Sequence, residues 1–464
     1  MNVFADIVSE DLLHRFGVPG LRYTSFPTAD RFVEAFTPDD YAQALIQRRS
    51  GVAAGSMPLS IYVHIPFCES LCYYCACNKI ITKHHDNAAS YLRYLECEVD
   101  LHTKYIGIGQ FISQLHLGGG SPTYLNDDEL GELINMLRRN FQFSAAGEYS
   151  IEIDPRTVDV ARLDTLARLG FNRVSFGVQD FDAVVQSAVH RLQSTEHVFA
   201  LVEAARTRGF HSINVDLIYG LPRQSSESFD RTLVQINALR PDRIALYAYE
   251  HLPAQFKPQR RIDSTQIPSA AAKAAMLSRA LISLRAAGYV YVGMDHFALP
   301  DDAIAVAKRQ GRLHRNFQGY STQPDCDQIG LGVSSTGCVG ATYSQNAKTM
   351  HQYCDLLDQG RLPVVQGLVL SRDDLIRRAM IMSLLCQGQV QFESINLAYL
   401  VNCRVYFASE LLDLQALADQ GLVYVEDEGI QVTSFGWIFV SAVAKVFDRY
   451  LHSDRTRTRF SKIT

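Results

Sequence analysis

Residues 64–79 read HIPFCESLCYYCACNK and place Cys68, Cys72, Cys75 and Cys77 within ten positions. The first three follow the spacing C-x3-C-x2-C. Thiolates are the usual ligands of iron–sulfur clusters. An extended chain covers at most about 3.3–3.6 Å per residue, so these three sulfurs lie within reach of one short loop. Such a loop can wrap a cubane and occupy three of its four irons, leaving the fourth open to a small molecule. The alternative is a zinc site with four sulfurs, Cys77 included. Zinc sites usually pair two ligand doublets from separate segments, and no second doublet stands elsewhere in the chain. The other six cysteines, at 97, 326, 338, 354, 386 and 403, are scattered and read as small buried hydrophobes.

A second stretch with chemical content is GGGSP at 118–122. Backbone without side chains lets a ligand approach closely and leaves amides free to donate. A tight turn is the plain alternative. Both stretches directly follow β-like runs, as do EIDPRT, GVQDF, YGLP and EHLP further on. Six loops carrying glycines, carboxylates and cysteines at successive strand ends point to one site on one face, because in α/β barrels the chemistry collects at the C-terminal ends of the strands.

The elements that must position these loops are legible. Candidate strands are LSIYVHI (59–65), FISQLHL (111–117), YSIEI (149–153), NRVSFGV (172–178), SINVDLIYG (212–220) and DRIALYAY (242–249). Between them lie segments such as DDELGELINMLRRN and TEHVFALVEAARTRG, with apolar residues at i, i+3, i+4 and i+7. Strand–helix units in series imply parallel strands with right-handed crossovers. The expected fold is α/β, a partial (β/α)6 barrel. An irregular N-terminal arm (1–55) precedes it, and the barrel with its substrate-site extension spans 56–370. In 371–464 a serine cap and two first-turn aspartates open a helix, LVYVEDEGIQV resembles a hairpin with its turn near Gly429, and SFGWIFVSAVAKVFDRY is helical. That segment is expected to form a small helical, winged-helix-like domain.

Composition limits the rest. With 47% hydrophobic and 20% charged residues in 464, the chain can bury a sizeable core. A net charge of -5 argues against nucleic acid as a partner, the hairpin in the C-terminal domain notwithstanding. The N-terminus has no basic start followed by an apolar run, and no apolar stretch reaches the roughly 18 residues needed to span a bilayer. The expectation is a cytosolic monomer with no membrane partner, in a compartment where ten cysteines are not a disulfide framework.

Taken together, the cysteine loop, GGG-x-P and the six-strand pattern resemble the radical S-adenosylmethionine superfamily. More closely, YTSFPTA, PLSIYVHIPFC, CNKI, QLHLGGGSPTYL, IEIDPRT, GVQDF, NVDLIYGLP, GMDHFA and HRNFQGY resemble the oxygen-independent coproporphyrinogen III dehydrogenase (oxidase) family over nearly the whole chain. The resemblance implies a 4Fe-4S cluster on Cys68, Cys72 and Cys75, an open fourth iron, and two bound S-adenosylmethionine molecules. One-electron reduction of the cluster, from an electron donor, would cleave the cofactor to a 5′-deoxyadenosyl radical. That radical takes a β-hydrogen from each of two propionates of coproporphyrinogen III, and each then loses carbon dioxide and one electron, passed to an electron acceptor, to become a vinyl of protoporphyrinogen IX. Cys77 turns the motif into C-x3-C-x2-C-x-C, and the resemblance makes it a catalytic residue and not a cluster ligand.

By the same resemblance, Tyr62, Gly119, Glu152 and Thr336 would meet the first S-adenosylmethionine. Tyr74, Gly120, Ser121, Gln179, Arg191, Asp216 and Glu250 would meet the second. Arg22 is a candidate for the substrate carboxylates, and so is KPQRR (257–261), since guanidinium groups match carboxylates in a bidentate fork; a solvated loop is the ordinary reading of KPQRR. The basic tail DRTRTRFSK reads as solvated. Departures from the family pattern are Leu117 for tryptophan, Ala76 for glycine, Leu21 for proline, Glu250 for a small residue and Thr336 for an aliphatic one. They leave as alternatives a paralogue acting on another tetrapyrrole, either a haem chaperone or a radical methyltransferase.

Overall fold

A computed structural model describes residues 10–16, 23–51, 57–323 and 326–453. Its centre is a run of parallel strands: β1 (Leu59–Ile65), β2 (Gln110–Gly119), β3 (Phe141–Ile153), β4 (Arg173–Gln179), β5 (Ser212–Tyr219) and β6 (Arg243–Ala248). They pair in sequence order, each parallel to the next. All six expected strands are present. β1 is buried at every position but Tyr62, as a strand covered on both faces must be.

The connections are helices that bury one face. α1 (Asp86–Ile106) packs Tyr91, Leu92, Leu95, Val99 and Ile106 inward, and α2 (Asp127–Asn140) packs Leu130, Leu133, Ile134 and Leu137. α2 starts in a capping box between Asn126 and Glu129, which satisfies two otherwise orphaned amides. α3 (Val160–Arg168), α4 (Thr195–Thr207) and α5 (Ser226–Leu239) repeat the pattern.

Residues beyond β6 extend this sheet at both edges. Beyond β6, α6 (Ala270–Ala286) leads to β7 (Val290–Gly293) and β8 (His296–Ala298), with β8 antiparallel to β6. On the other side β9 (Gln328–Leu331) runs parallel to β1, followed by antiparallel β10 (Thr336–Val339), β11 (Thr342–Asn346) and β12 (Val364–Val369). The twelve-stranded order therefore ends at β12 and β7 without closing.

In the C-terminal segment, Ser371 caps α7 (Arg372–Gln387) as expected, and with Asp374 it completes a capping box. The hairpin of β14 (Val423–Val425) and β15 (Gly429–Val432) gains a third strand, β13 (Gln389–Gln391). The helix expected over 434–450 is broken into Gly436–Phe439, Val440–Lys445 and Arg449–Ser453. Gly436 lies against the Leu422 carbonyl with no room for a Cβ, and its N–H donates to Thr433 Oγ1 at 2.9 Å, so the chain there follows the hairpin and not a straight helix. The core around Met380, Leu384, Phe407, Phe439 and Phe447 also takes in Phe16, Tyr23 and Phe26 of the N-terminal arm. Tyr23 Oη donates to Asp448 at 3.0 Å. Of the six scattered cysteines only Cys386 and Cys403 are buried; Cys97, on the outward face of α1, is exposed, so the buried reading fails there. Among the described residues no helix is long and apolar enough to cross a membrane.

Candidate active site

The cysteine loop leaves β1 and is pinned at its neck. Phe67–Cys68 pairs with Ile80–Ile81, Ile80 N donates to Pro66 O at 2.7 Å, and Thr82 N donates to Cys68 O at 3.0 Å. Inside the loop, Lys79 Nζ donates to the carbonyls of Cys75 and Cys77 at 3.0 and 3.3 Å. From the side, Tyr73 N donates to Val189 O at 3.0 Å, and the Tyr73 ring stacks on His190 at 5.1 Å. Buried Gln259 donates to Tyr74 O at 3.1 Å, tying the loop to the turn after β6.

Cys72 is buried, and its sulfur accepts from two guanidinium groups, Arg156 Nη2 at 3.3 Å and Arg191 Nη1 at 3.4 Å. Both arginines also meet the Asp154 carboxylate, at 2.7 and 3.2 Å. Two cations against one carboxylate leave a positive excess at that sulfur, which a neutral thiol does not need and a metal-bound thiolate does. A hydrogen bond with Cys77, helped by Lys79, holds the Cys75 thiol down to about 6. Burial, reinforced by Cys75 and Cys72, pushes Cys68 up to about 12, so that sulfur ionises only with a cation beside it. Cys68 opens onto a cavity of 190 Å³ that Ser121, Tyr124, Asp154 and Arg156 also line. The donor set fits an iron–sulfur cluster on Cys68, Cys72 and Cys75.

The glycine run closes the space beside this loop. Gly119 has φ +116°, and a Cβ there would lie 2.7 Å from the His64 ring; one on Gly120 would lie 2.7 Å from Pro66 O. The expected free amides are not free. Gly119 N donates to Glu152 Oε2 at 3.2 Å, Gly120 N to Ile65 O and Ser121 N to Phe67 O, both at 2.8 Å. The run provides close backbone approach, and its amides hold the loops together.

A chain of polar rings crosses the strands here. His64 Nε2 lies 2.9 Å from Asn78 O and must be its donor, so Nδ1 accepts from Tyr62 Oη at 3.2 Å. Burial lowers the His64 imidazole and keeps it neutral. The Tyr62 ring stacks on His116 at 5.8 Å, and His116 Nε2 is 3.2 Å from Glu152 Oε1. Exposed Cys77 lies within electrostatic reach of Tyr62 and Glu152. Thr336 is one residue row away: its carbonyl abuts Gly330, which pairs with Tyr62.

The second group gathers at the ends of β4 to β6. Gln179 takes φ +70°, and the 6% exposed Arg191 donates back to Gly177 O at 2.5 Å through Nη2. Tyr74 faces Arg191, Cys72 and Cys75. Asp216 accepts from Asn214 at 2.9 Å and from Ser175 at 3.3 Å, and burial together with the Glu152 charge pushes it up to about 7. Glu250 sits in the field of the buried Lys273. Arg22 lies outside the described residues, as does the basic tail. In KPQRR the three cations are exposed, and Gln259 is the residue that turns inward. Sequence reasoning quoted HIPFC and EIDPRT but assigned no role to His64, Asp154 or Arg156; their place beside the thiols and at a strand end was the available signal.

Two family models match the chain: the radical SAM superfamily over residues 62–236 and the HemN C-terminal domain over 370–439. The oxygen-independent coproporphyrinogen III oxidase of Pseudomonas aeruginosa is 47% identical over 455 residues, covering 98% of each chain. That of Escherichia coli is 45% identical over 452 residues, 97% of each. The solved structure of coproporphyrinogen III oxidase from Escherichia coli, described as a radical SAM enzyme, superposes with a TM-score of 0.89 at 46% identity, covering 92% of this chain and 97% of that one.

Proposed function

The chain belongs to the family of oxygen-independent coproporphyrinogen III oxidases, and from that premise we propose that it decarboxylates two propionates of coproporphyrinogen III oxidatively to give protoporphyrinogen IX. A 4Fe-4S cluster and S-adenosylmethionine, when bound, supply the radical that abstracts hydrogen. Cys68, Cys72 and Cys75 hold the cluster, and Arg156 and Arg191 neutralise the Cys72 sulfur. Tyr62, Gly119, Glu152 and Thr336 border the first S-adenosylmethionine. Tyr74, Gly120, Ser121, Gln179, Arg191, Asp216 and Glu250 border the second. Cys77, beside Glu152 and outside the cluster's ligand set, faces the substrate. Arg22 is assigned to a substrate carboxylate. The enzyme works as a cytoplasmic monomer that takes electrons from a separate donor.

The observation that carries this reading is the pinned loop of three thiols whose buried sulfur lies between two guanidinium groups, next to the Gly119 turn. Anaerobic reconstitution followed by assay with coproporphyrinogen III tests it. The expected product is a divinyl tetrapyrrole lighter by two carbon dioxides and four hydrogens. A methylated product, or haem binding without turnover, would replace the reading with one of its rivals.

A further inference from the structure

The thiol loop carries a half-buried aromatic residue, Tyr73, between Cys72 and Cys75. Its ring stacks on exposed His190 at 5.1 Å and meets the Arg261 guanidinium 5.4 Å from its centre. Arg261 closes a short helical turn, Lys257–Arg261, which is fastened to the loop from below. Buried Gln259 donates to the carbonyls of Tyr74 and Glu250, at 3.1 Å each, and Arg260 Nε donates to Pro253 O at 2.9 Å. Buried Ile262 packs in one cluster with Tyr73 and Tyr74. The turn is therefore seated on the thiol loop, while its three cations, Lys257, Arg260 and Arg261, are exposed.

The charge on this turn has one sign. Between Glu250 and Asp263 the chain carries no carboxylate. The Asp263 carboxylate is committed locally, accepting from Thr265 N at 3.0 Å and Thr265 Oγ1 at 2.7 Å. Exposed Arg223 adds a fourth cation, its Nε on Gln266 at 2.8 Å and its N on Gln266 O at 2.8 Å. The whole chain carries a net charge of -5, so the patch reverses the sign of the surface just where the thiol loop comes nearest to solvent. Patches of this kind steer and orient partners of opposite charge. An apolar contact stands close by: Leu192, two residues from His190, is 62% exposed.

We propose that Lys257, Arg260 and Arg261, with Arg223 at the edge, form the docking surface for the electron donor, an acidic protein carrying a one-electron centre, which seats against Tyr73. The choice of partner rests on the function proposed above; the cationic turn on the thiol loop does not. Electron-transfer interfaces are small and transient, and charge complementarity sets their orientation and association rate. In the docked pair one electron leaves the reduced carrier and enters the cluster. The carrier is oxidised by one electron and the cluster reduced by one, with no bond made or broken.

The test mixes reconstituted holoenzyme anaerobically with a reduced, acidic plant-type ferredoxin and follows ferredoxin oxidation by stopped-flow absorbance. The second-order rate should fall as salt rises. Lys257→Glu and Arg260→Glu should each lower it about tenfold at low salt. Lys104→Glu changes the net charge as Lys257→Glu does, but at the exposed far end of α1, and should match wild type. With dithionite as reductant, all three variants should turn over coproporphyrinogen III with wild-type kcat and KM. An unchanged rate in both patch variants, or equal slowing by Lys104→Glu, overturns the proposal. So does a raised KM under dithionite, which would assign these cations to the substrate's carboxylates. Product analysis separates the two readings: no divinyl product from wild type with either reductant, while ferredoxin oxidation keeps its dependence on salt and on the patch, refutes the proposed reaction and not the docking surface.

Discussion

Arg191 and Cys72, 119 residues apart, meet at 3.4 Å between guanidinium nitrogen and sulfur. The same guanidinium holds Asp154 at 3.2 Å and the Gly177 carbonyl, so it links the cluster loop to the ends of β3 and β4. Hydrogen bonds to cluster sulfurs help set the reduction potential, and donors to a ligating sulfur stabilise the more negative reduced state. Arg191→Met should therefore assemble a cluster whose potential, read by anaerobic redox titration with electron paramagnetic resonance, is more negative than wild type. Activity should fall by about 10–100-fold, the usual cost of losing a partner of a metal ligand. An unchanged potential would show that the contact is not made in the loaded enzyme.

That contact also marks the boundary of what the sequence discloses. The six parallel strands were legible because each is a buried apolar run ending in a distinctive loop. So was the start of α7, where Ser371 and Asp374 cap locally. β9 to β11 were not, because each is only four or five residues long and the sheet they join is entered through pairing of β9 with β1, about 270 residues earlier in the chain. Within the site, residue types and spacing marked the thiols and the glycine run. Neither could show that the amides of Gly119, Gly120 and Ser121 are spent on Glu152, Ile65 and Phe67, since those partners come from other loops.

Cys77 separates from the other three thiols in a simple experiment. Replacing Cys68, Cys72 or Cys75 by Ala should abolish both the cluster and cleavage of S-adenosylmethionine. Cys77→Ala should retain full iron and sulfide content and lose vinyl formation. Loss of iron in the Cys77 variant would make it a fourth ligand. Tetrahedral zinc alone in anaerobically purified protein, seen by X-ray absorption, would remove the cluster from the mechanism.

Asp216 should make the protein's stability pH-dependent in a particular direction. Its carboxyl lies at about 7 in the fold, against about 3.9 when unfolded. A group raised in this way stabilises the fold below the lower value, and the contribution is lost as pH rises through the higher one. The gap is worth up to about 4 kcal/mol. Glu98, buried and also near 7, acts with the same sign. Ligand-free protein should thus lose stability to urea from pH 4 to pH 8, and Asp216→Asn should remove about half of that slope. An identical slope in the variant would refute the assignment.

Glu250 stands where a small residue was expected, and its surroundings decide how its charge acts. Lys273 is 4% exposed, and its ammonium donates to Tyr249 O at 3.3 Å. Burial lowers it, and Glu250 offsets part of that penalty. The carboxylate's charge is thus answered from within the fold and is not reserved for a sulfonium. Glu250→Ala should leave the calorimetric stoichiometry of S-adenosylmethionine at two, and a fall to one would contradict this. The cost should appear in stability instead. With Lys273 depressed further below its unfolded value of about 10.4, the variant should lose roughly 1 kcal/mol at pH 7. That loss should shrink as pH rises and Lys273 becomes neutral in both proteins, and a loss that stays constant with pH would place the effect in packing and not in charge.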